Sequence, residues 1–374
     1  MKKRENRGQI MKIAVWGHKQ IPSREGGVEV VAEALCTRMV ALGHEIVCYN
    51  RGRRREPQGT AYRNIRRYWV PTIEKKGLSA VSSSFFAALL SALGKTQVVH
   101  IHGEGPAFWC WLPKLTGKRV VVTVHGLDWQ RDKWKNTLGA LYIRLGEKAA
   151  VCFADAIIVL SQNVQTYFQE TYGRETLRIP NGIAKPRRIA AEQIRNAFQL
   201  EGQDYFLFLG RLVPEKGIHE LIEAYRGIRT EKKLVIAGAA SDSADYARQL
   251  ENQAKADGRV LLTGFVQGQL LEELLSNAYA YVLPSHLEGM PMSLLEAMSY
   301  GNCCVVSDIP ECAEVVEDRA VTFPVGDITA LRAALQRLSD DPDLTASYRK
   351  GAADFICRKY NWDDVTERTL RVYQ

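Results

Sequence analysis

Short runs of β-branched and other apolar residues alternate with stretches of helical periodicity along the whole chain, the pattern of β-α-β units that close into parallel sheets. In the first half the runs are MKIAVWG (11–17), EIVCYN (45–50), VVHIHG (98–103), RVVVTVHG (119–126) and AIIVLS (156–161). In the second half they are YFLFLG (205–210), KLVIAG (233–238), VLLTGF (260–265), AYVLPS (280–285) and CCVVSD (303–308). Each set predicts one doubly wound sheet. Between them IPNGIAKPRRIAA (179–191) carries two prolines and little periodicity, which places a boundary there. The expected architecture is α/β, with two Rossmann-like domains facing each other across a cleft at the carboxyl ends of their strands. The expected bounds are 11–182 for the first domain, 183–203 for a linker, 204–355 for the second domain and 356–374 for a C-terminal helix packing back toward the first.

Length agrees with two cores: the chain has 374 residues, 46% of them hydrophobic, and single cores rarely grow beyond roughly 250 residues. Its 29 glycines and 13 prolines show no period, which excludes fibrous and disordered classes. The most apolar stretch, AVSSSFFAALLSAL (80–93), is shorter than the ~18 residues of a membrane span and is interrupted by serines. The basic opening MKKRENRGQI leads into a strand and not into a signal-peptide core, so a cytoplasmic location is expected. Eight cysteines without a C-x-x-C pair or metal-ligand spacing agree with a reducing compartment, and the adjacent Cys303 and Cys304 are expected in a core. Charge divides the chain. Residues 1–190 hold 31 Lys+Arg against 14 Asp+Glu, and residues 191–374 hold 19 against 28, so +17 and −9 make up the net +8. A basic first half calls for an anionic partner, either nucleic acid or an anionic membrane surface.

Candidate chemistry lies at strand ends. After the first strand, Gly26 and Gly27 precede a helix marked by Val28, Val31, Leu35 and Met39 and ended near Gly43. There they either let backbone N–H groups approach a phosphate or sugar oxygen or serve only a tight turn. The dinucleotide fingerprint G-x-G-x-x-G is absent, which argues against a dehydrogenase. In the second half GRLVPEKG (210–217) sends Gly210, Arg211 and Lys216 from a strand end, where two cations suit a diphosphate. HLEGMPMSLLEAMSYG (286–301) then places Glu288 in a loop and Glu296 about one turn inside a helix whose first turn suits Pro291. The N–H groups of Gly289 to Ser293, Met290 among them, form an anion site there, with Leu294 just behind. Two carboxylates beside an anion site suit the vicinal hydroxyls of a sugar.

GRLVPEKG, followed by E-x7-E and preceded by IPNG (179–182), resembles the retaining GT-B glycosyltransferases of family 4, the large family that includes sucrose-phosphate synthase and bacterial mannosyltransferases. VWGHKQIPSREGGVEVVAEAL (15–35) with CYNR (48–51) resembles the N-terminal domain of rhamnosyltransferases of capsule and exopolysaccharide assembly. Together the resemblances cover most of 11–370; residues 1–10 fall outside them, and Met11 stands as an alternative start. The resemblance implies a GT-B fold with an acceptor-side first domain and a nucleotide-sugar-binding second domain. It implies that Arg211 and Lys216 bind the donor diphosphate, Glu296 the ribose, Glu288 the donor sugar, Gly27 the phosphate or sugar, and Val266 the base through its backbone. His125, in VTVHGLD, would lie near the reacting sugar, and His102 and Glu104, in HIHGEG, would face the acceptor.

The implied reaction is transfer of a sugar, with rhamnose from dTDP-rhamnose as the first expectation, to a glycan or polyprenyl-diphosphate-linked sugar, with retention and without a metal or other cofactor. The one D-x-D, Asp341-Pro342-Asp343, reads as a helix cap and not as a metal site. The arginine-rich 51–67 and Lys75–Lys76 ahead of the apolar 78–93 fit peripheral docking on an anionic membrane. Nucleic-acid binding is not expected, since no recognition motif accompanies the basic charge. A nucleotide-sugar epimerase with the same two-domain cleft is the nearer alternative.

Overall fold

A computed structural model describes residues 10–52, 57–75, 77–135, 137–240 and 244–374. The sequence-based readings that fall on residues 1–9, Arg53 to Arg55 and Lys76 lie outside these. The chain divides into two compact units, residues 1–182 with 362–374, and residues 183–361.

The first unit is built on one sheet of eight strands: β1 (Lys12–Trp16), β2 (Glu45–Asn50), β3 (Ala61–Tyr62), β4 (Ile65–Trp69), β5 (Val98–His102), β6 (Arg119–Val124), β7 (Ala156–Val159) and β8 (Leu177–Arg178). Their order is β3-β4-β2-β1-β5-β6-β7-β8, parallel throughout except for the β3–β4 hairpin. The second unit holds β9 (Tyr205–Leu209), β10 (Lys233–Ala237), β11 (Val260–Gly264), β12 (Ala280–Leu283), β13 (Cys303–Ser307) and β14 (Val321–Phe323), in the order β11-β10-β9-β12-β13-β14 and all parallel. Helices cover the central strands on both faces, so these strands are apolar along their whole length. In β12 and β13 every residue is buried, Cys303 and Cys304 included.

The segment 183–203, expected as a linker, is built into the second unit. Its helix Gln193–Phe198 buries Ile194 fully, and the amides of Glu192 and Ile194 donate to Glu273 Oε2 at 2.9 and 3.0 Å. The returning segment begins at Trp362, not at 356, because the helix Ala352–Lys359 still belongs to the second unit. The helix Trp362–Val372 lies on the first unit's own helix Gly27–Ala41, with Trp362 under the Arg38 guanidinium at 5.2 Å and Arg38 Nε 3.6 Å from Asp363. Arg119 Nε donates to the Val372 carbonyl at 2.8 Å, and the buried Tyr373 hydroxyl meets His100 Nδ1 at 2.6 Å.

The apolar stretch 78–93 is the helix Leu78–Leu93. It turns its small residues inward, Ser83, Ser84, Ala87, Ala88, Ser91 and Ala92, and leaves Leu78, Leu90 and Leu93 exposed. Arg67, counted above among the docking cations, is 5% exposed and donates to the Ile21 carbonyl at 3.3 Å; it is a structural residue. Asp341 caps the helix Pro342–Arg349, accepting from the Leu344 amide at 2.9 Å.

The Tyr373 bond gives the first prediction. Tyr373→Phe removes one buried hydrogen bond and strands a ring nitrogen of His100, and should destabilise the first unit by about 1–3 kcal/mol. Calorimetry reads this as a lowered melting temperature; an unchanged one would mean that the returning segment is held by its apolar contacts alone.

Candidate active site

Each sheet reverses its winding at one place. In the second unit the strands step outward from β9 to β11 on one side and from β12 to β14 on the other, so β9 and β12 are neighbours whose following segments leave in opposite directions. Such a reversal opens a crevice at the carboxyl ends of the strands, where ligands of open α/β sheets bind.

The loop after β9 is tied down by its backbone: Gly210 donates to the Ala237 carbonyl and Leu212 to the Ala239 carbonyl, both at 3.0 Å. It closes in a turn, Pro214–Lys216, ended by Gly217 at φ +64. A Cβ on Gly217 would lie 2.3 Å from the Pro284 carbonyl oxygen, so only glycine lets this loop meet the segment after β12. That approach brings Lys216 to Glu288. The ammonium pairs with Glu288 Oε1, which also accepts from Ser285 Oγ at 2.7 Å, and the two side chains are 12% and 8% exposed. Ser285 is fixed in turn, since its carbonyl accepts from Ser307 Oγ at 2.5 Å.

Immediately beyond, the helix Met292–Ser299 starts with Pro291 at its cap position and no side chain capping it. The Leu294 amide donates to the Pro291 carbonyl at 3.0 Å, and the positive end of the helix dipole points out of its first turn. Tyr281, in β12, donates its hydroxyl to Ser293 Oγ at 2.7 Å and sets that turn on the sheet. Glu296 lies one turn inside and partly exposed.

Gly210, Arg211, Lys216, Glu288, Gly289, Met290, Pro291, Ser293, Leu294 and Glu296 thus all lie on the two segments that leave β9 and β12. Leu294 is fully buried and Val266 is 5% exposed, so either could meet a ligand only through its backbone. Val266 stands farther along the sheet, past β11, where the Gly238 amide donates to the Gly264 carbonyl at 2.9 Å and joins the ends of β10 and β11.

In the first unit the reversal falls between β1 and β5. Gly17, at φ +103, presses against the end of β5 so closely that a Cβ would lie 2.1 Å from the His102 carbonyl oxygen. The loop from Gly17 to Gly26 is held from below. Asn50 Oδ1 accepts from the Ile21 amide at 3.1 Å and lies 3.2 Å from His18 Nε2, and Glu29 accepts from the Lys19 amide at 2.8 Å. Gly26 and Gly27 open the helix Gly27–Ala41 without a side-chain cap. Gly17, Glu29 and Asn50 had no signal in the sequence, because what they do depends on neighbours far along the chain.

His102 and Glu104, expected toward an acceptor, are 1% and 0% exposed and act on protein groups. His102 Nδ1 lies 2.9 Å from His125 Nε2, and one ring donates to the other. His100 stacks at 4.3 Å from His102 and bonds Thr123 Oγ1 at 2.7 Å. Burial, ahead of the neighbouring rings, pushes His100 down to about 3 and His102 well below the usual 6.5; burial also pushes His125 down to about 4. The histidine array is therefore neutral at physiological pH. Glu104 Oε2 accepts from the Asp128 amide at 2.7 Å. Burial, and then the adjacent Glu147, raises its carboxyl well above the ordinary range, which favours the protonated form. Glu147 takes the hydroxyls of Tyr167 and Tyr172 and the Trp129 indole N–H.

Among known proteins, residues 25–185 match the family Glycosyltransferase Family 4, and residues 190–355 match Glycosyl transferases group 1. Sucrose-phosphate synthase from Thermosynechococcus elongatus has the same fold, with a TM-score of 0.81 at 20% identity over 98% of each chain. The chain has the GT-B fold. Anabaena HepE in complex with UDP-glucose shares that GT-B architecture at a TM-score of 0.79 and 16% identity, over 96% of this chain and 98% of HepE. In sequence the chain is similar to O-antigen chain mannosyltransferase B of Escherichia coli, 30% identical over 182 residues. That alignment takes in 47% of this chain and spans about half the length of the relative, 47%.

Two predictions follow from the geometry. Lys216→Met leaves Glu288 buried without its cation and should destabilise the second unit by about 3–5 kcal/mol. Lys216→Met with Glu288→Leu should recover much of that loss in denaturant titration; a double variant as weak as the single would break the argument. In the first unit, the ring signals of His100 and His102 should not titrate as pH falls from about 8 to 5. Because their folded values lie below 6.5, the unfolded chain binds more protons between 6.5 and the folded value. The histidines' contribution to stability is complete above 6.5 and declines as pH falls through that window. Rings that titrate near 6.5 in NMR would refute the buried neutral array.

Proposed function

We propose that this GT-B protein is a retaining glycosyltransferase that moves a hexose from a nucleoside diphosphate sugar to a glycan or polyprenyl-diphosphate-linked sugar in bacterial surface-polysaccharide assembly. The observation that carries this reading is the meeting of Lys216, Glu288 and an uncapped helix N-terminus where the second sheet reverses. Breaking the bond between the anomeric carbon and phosphate puts negative charge on the departing diphosphate. Lys216, Arg211 and the first-turn amides are the groups that absorb it, so the reaction is read as independent of metal. Lys216 is paired with Glu288. An arriving diphosphate competes for the ammonium and frees the carboxylate to accept hydroxyls of the donor sugar. Glu296 is assigned to the ribose, Val266 to the base through its backbone, and Gly26, Gly27 and His125 to donor phosphate and sugar, all by the family resemblance. The acceptor hydroxyl attacks on the face from which the diphosphate departs.

The mannosyltransferase relative acts on an O-antigen chain and the HepE neighbour holds UDP-glucose, which supports mannose or glucose as the sugar. Rhamnose from dTDP rests only on the motif from Val15 to Leu35 together with CYNR (48–51). A thermal-shift panel of UDP, GDP and dTDP with their sugar conjugates, without metal and then with magnesium, decides the donor. A ligand at 100 times its Kd should stabilise the fold by about 2.7 kcal/mol. A UDP or GDP response without metal supports the reading, a dTDP response restores rhamnose, and no response to any nucleotide sinks the donor site. Lys216→Ala should lower kcat/KM by about 10–150-fold, the equivalent of one charge-assisted bond; unchanged kinetics would remove Lys216 from the site.

A further inference from the structure

The helix Leu138–Phe153 of the first unit packs its inner side through Ile143, Gly146, Glu147 and Ala150 and leaves the opposite side uncovered. Leu138, Leu141 and Leu145 are 85%, 55% and 42% exposed. They follow one another by three and then four residues, the spacing that puts side chains on a single helix face. Phe153, 43% exposed, continues that face two turns on. Exposed leucines scattered singly need no explanation, whereas a row of them along sixteen residues does.

The charges beside this row have one sign. Arg144 and Lys148 flank it, both exposed, and the one acid of the helix, Glu147, is fully buried among aromatic hydroxyls. Residues 111–155 carry eight Lys+Arg against four Asp+Glu, hence +4. The remaining three acids are matched by cations: Asp128 by Arg131 at 2.8 Å, Asp155 by Lys114 at 2.5 Å, and Asp132 by Lys135. The helix Leu78–Leu93, whose apolar sequence invites the same idea, has no charged residue and turns small side chains inward.

We propose that the Leu138–Phe153 face docks on an anionic lipid surface, with its leucines entering the headgroup layer and Arg144 and Lys148 meeting lipid phosphates. Apolar burial and cation–phosphate attraction act together there, and neither a neutral membrane nor a soluble anion offers both. In β-α order the helix starts from the loop after β6, so Leu138 and Leu141 lie toward the carboxyl edge of the sheet, where His125 also stands. This inference identifies the surface on which a lipid-linked acceptor would be met, and it stands or falls apart from the donor reading, which the nucleotide panel tests.

The test is flotation of the full chain with vesicles of phosphatidylcholine alone and with about one third phosphatidylglycerol. The chain should rise with the anionic vesicles, stay below with the neutral ones, and be released as salt is raised. Leu141→Glu with Leu145→Glu, and separately Lys148→Glu, should each lower the bound fraction about tenfold while thermal melting is unchanged; Arg144, which also stacks on Trp129 at 4.3 Å, is left in place. Three results would overturn the proposal: no flotation with anionic vesicles at low salt, equal flotation of the leucine variant, or loss confined to a Leu90→Glu, Leu93→Glu variant. Light scattering that shows a dimer in the native chain and a monomer in the leucine variant would give the face to a second copy instead, and would equally overturn it.

Discussion

Most groups assigned to chemistry in this protein depend on where its parallel sheets change direction. A parallel strand must be followed by a crossover, and successive crossovers on one side shield the strand ends beneath them. Between β1 and β5, and between β9 and β12, the following segments part and open a crevice at the strand ends. The tight glycine contacts at these two places are the steric condition for that opening. Gly17 meets the end of β5 and Gly217 meets the segment after β12 at distances that exclude any side chain.

The two reversal points are supplied with opposite electrostatic characters. In the second unit a lysine and a glutamate of low exposure hold each other beside a helix dipole. In the first unit the polar groups near the strand ends are neutral because burial makes them so: His100 and His102 without their second proton, and Glu104 with its own. A buried array of neutral rings positions His125 with no charge of its own to desolvate. Such a site is insensitive to modest changes of pH.

The strand runs were legible because centrally placed parallel strands are apolar along their length; all ten appear in the sheets. The strands β3, β4, β8 and β14 were not. Charged positions break up β4 (IRRYW) and β8 has only two residues, so their pairing is decided by tertiary neighbours and not by pattern. The placement of Lys216 near Glu288 was readable from the order of motifs, since both leave strand ends. The burial of His102 and Glu104 was not readable, because a polar residue after a strand looks the same whether it faces solvent or a second carboxylate 43 residues on, as Glu104 does with Glu147. Likewise nothing in the sequence joins Tyr373 to His100, which are 273 residues apart.

The return of residues 362–374 to the first unit has a consequence for how the protein is made. A ribosome that has finished residue 182 has produced a sheet still lacking the helix that covers one of its outer helices and the hydroxyl that completes its histidine array. The whole second unit, 183–361, is synthesised before that helix emerges, an interval of roughly 10–35 s at ordinary elongation rates. The unit begun first is therefore finished last. In the interim it displays the surface of its first helix that the last helix covers.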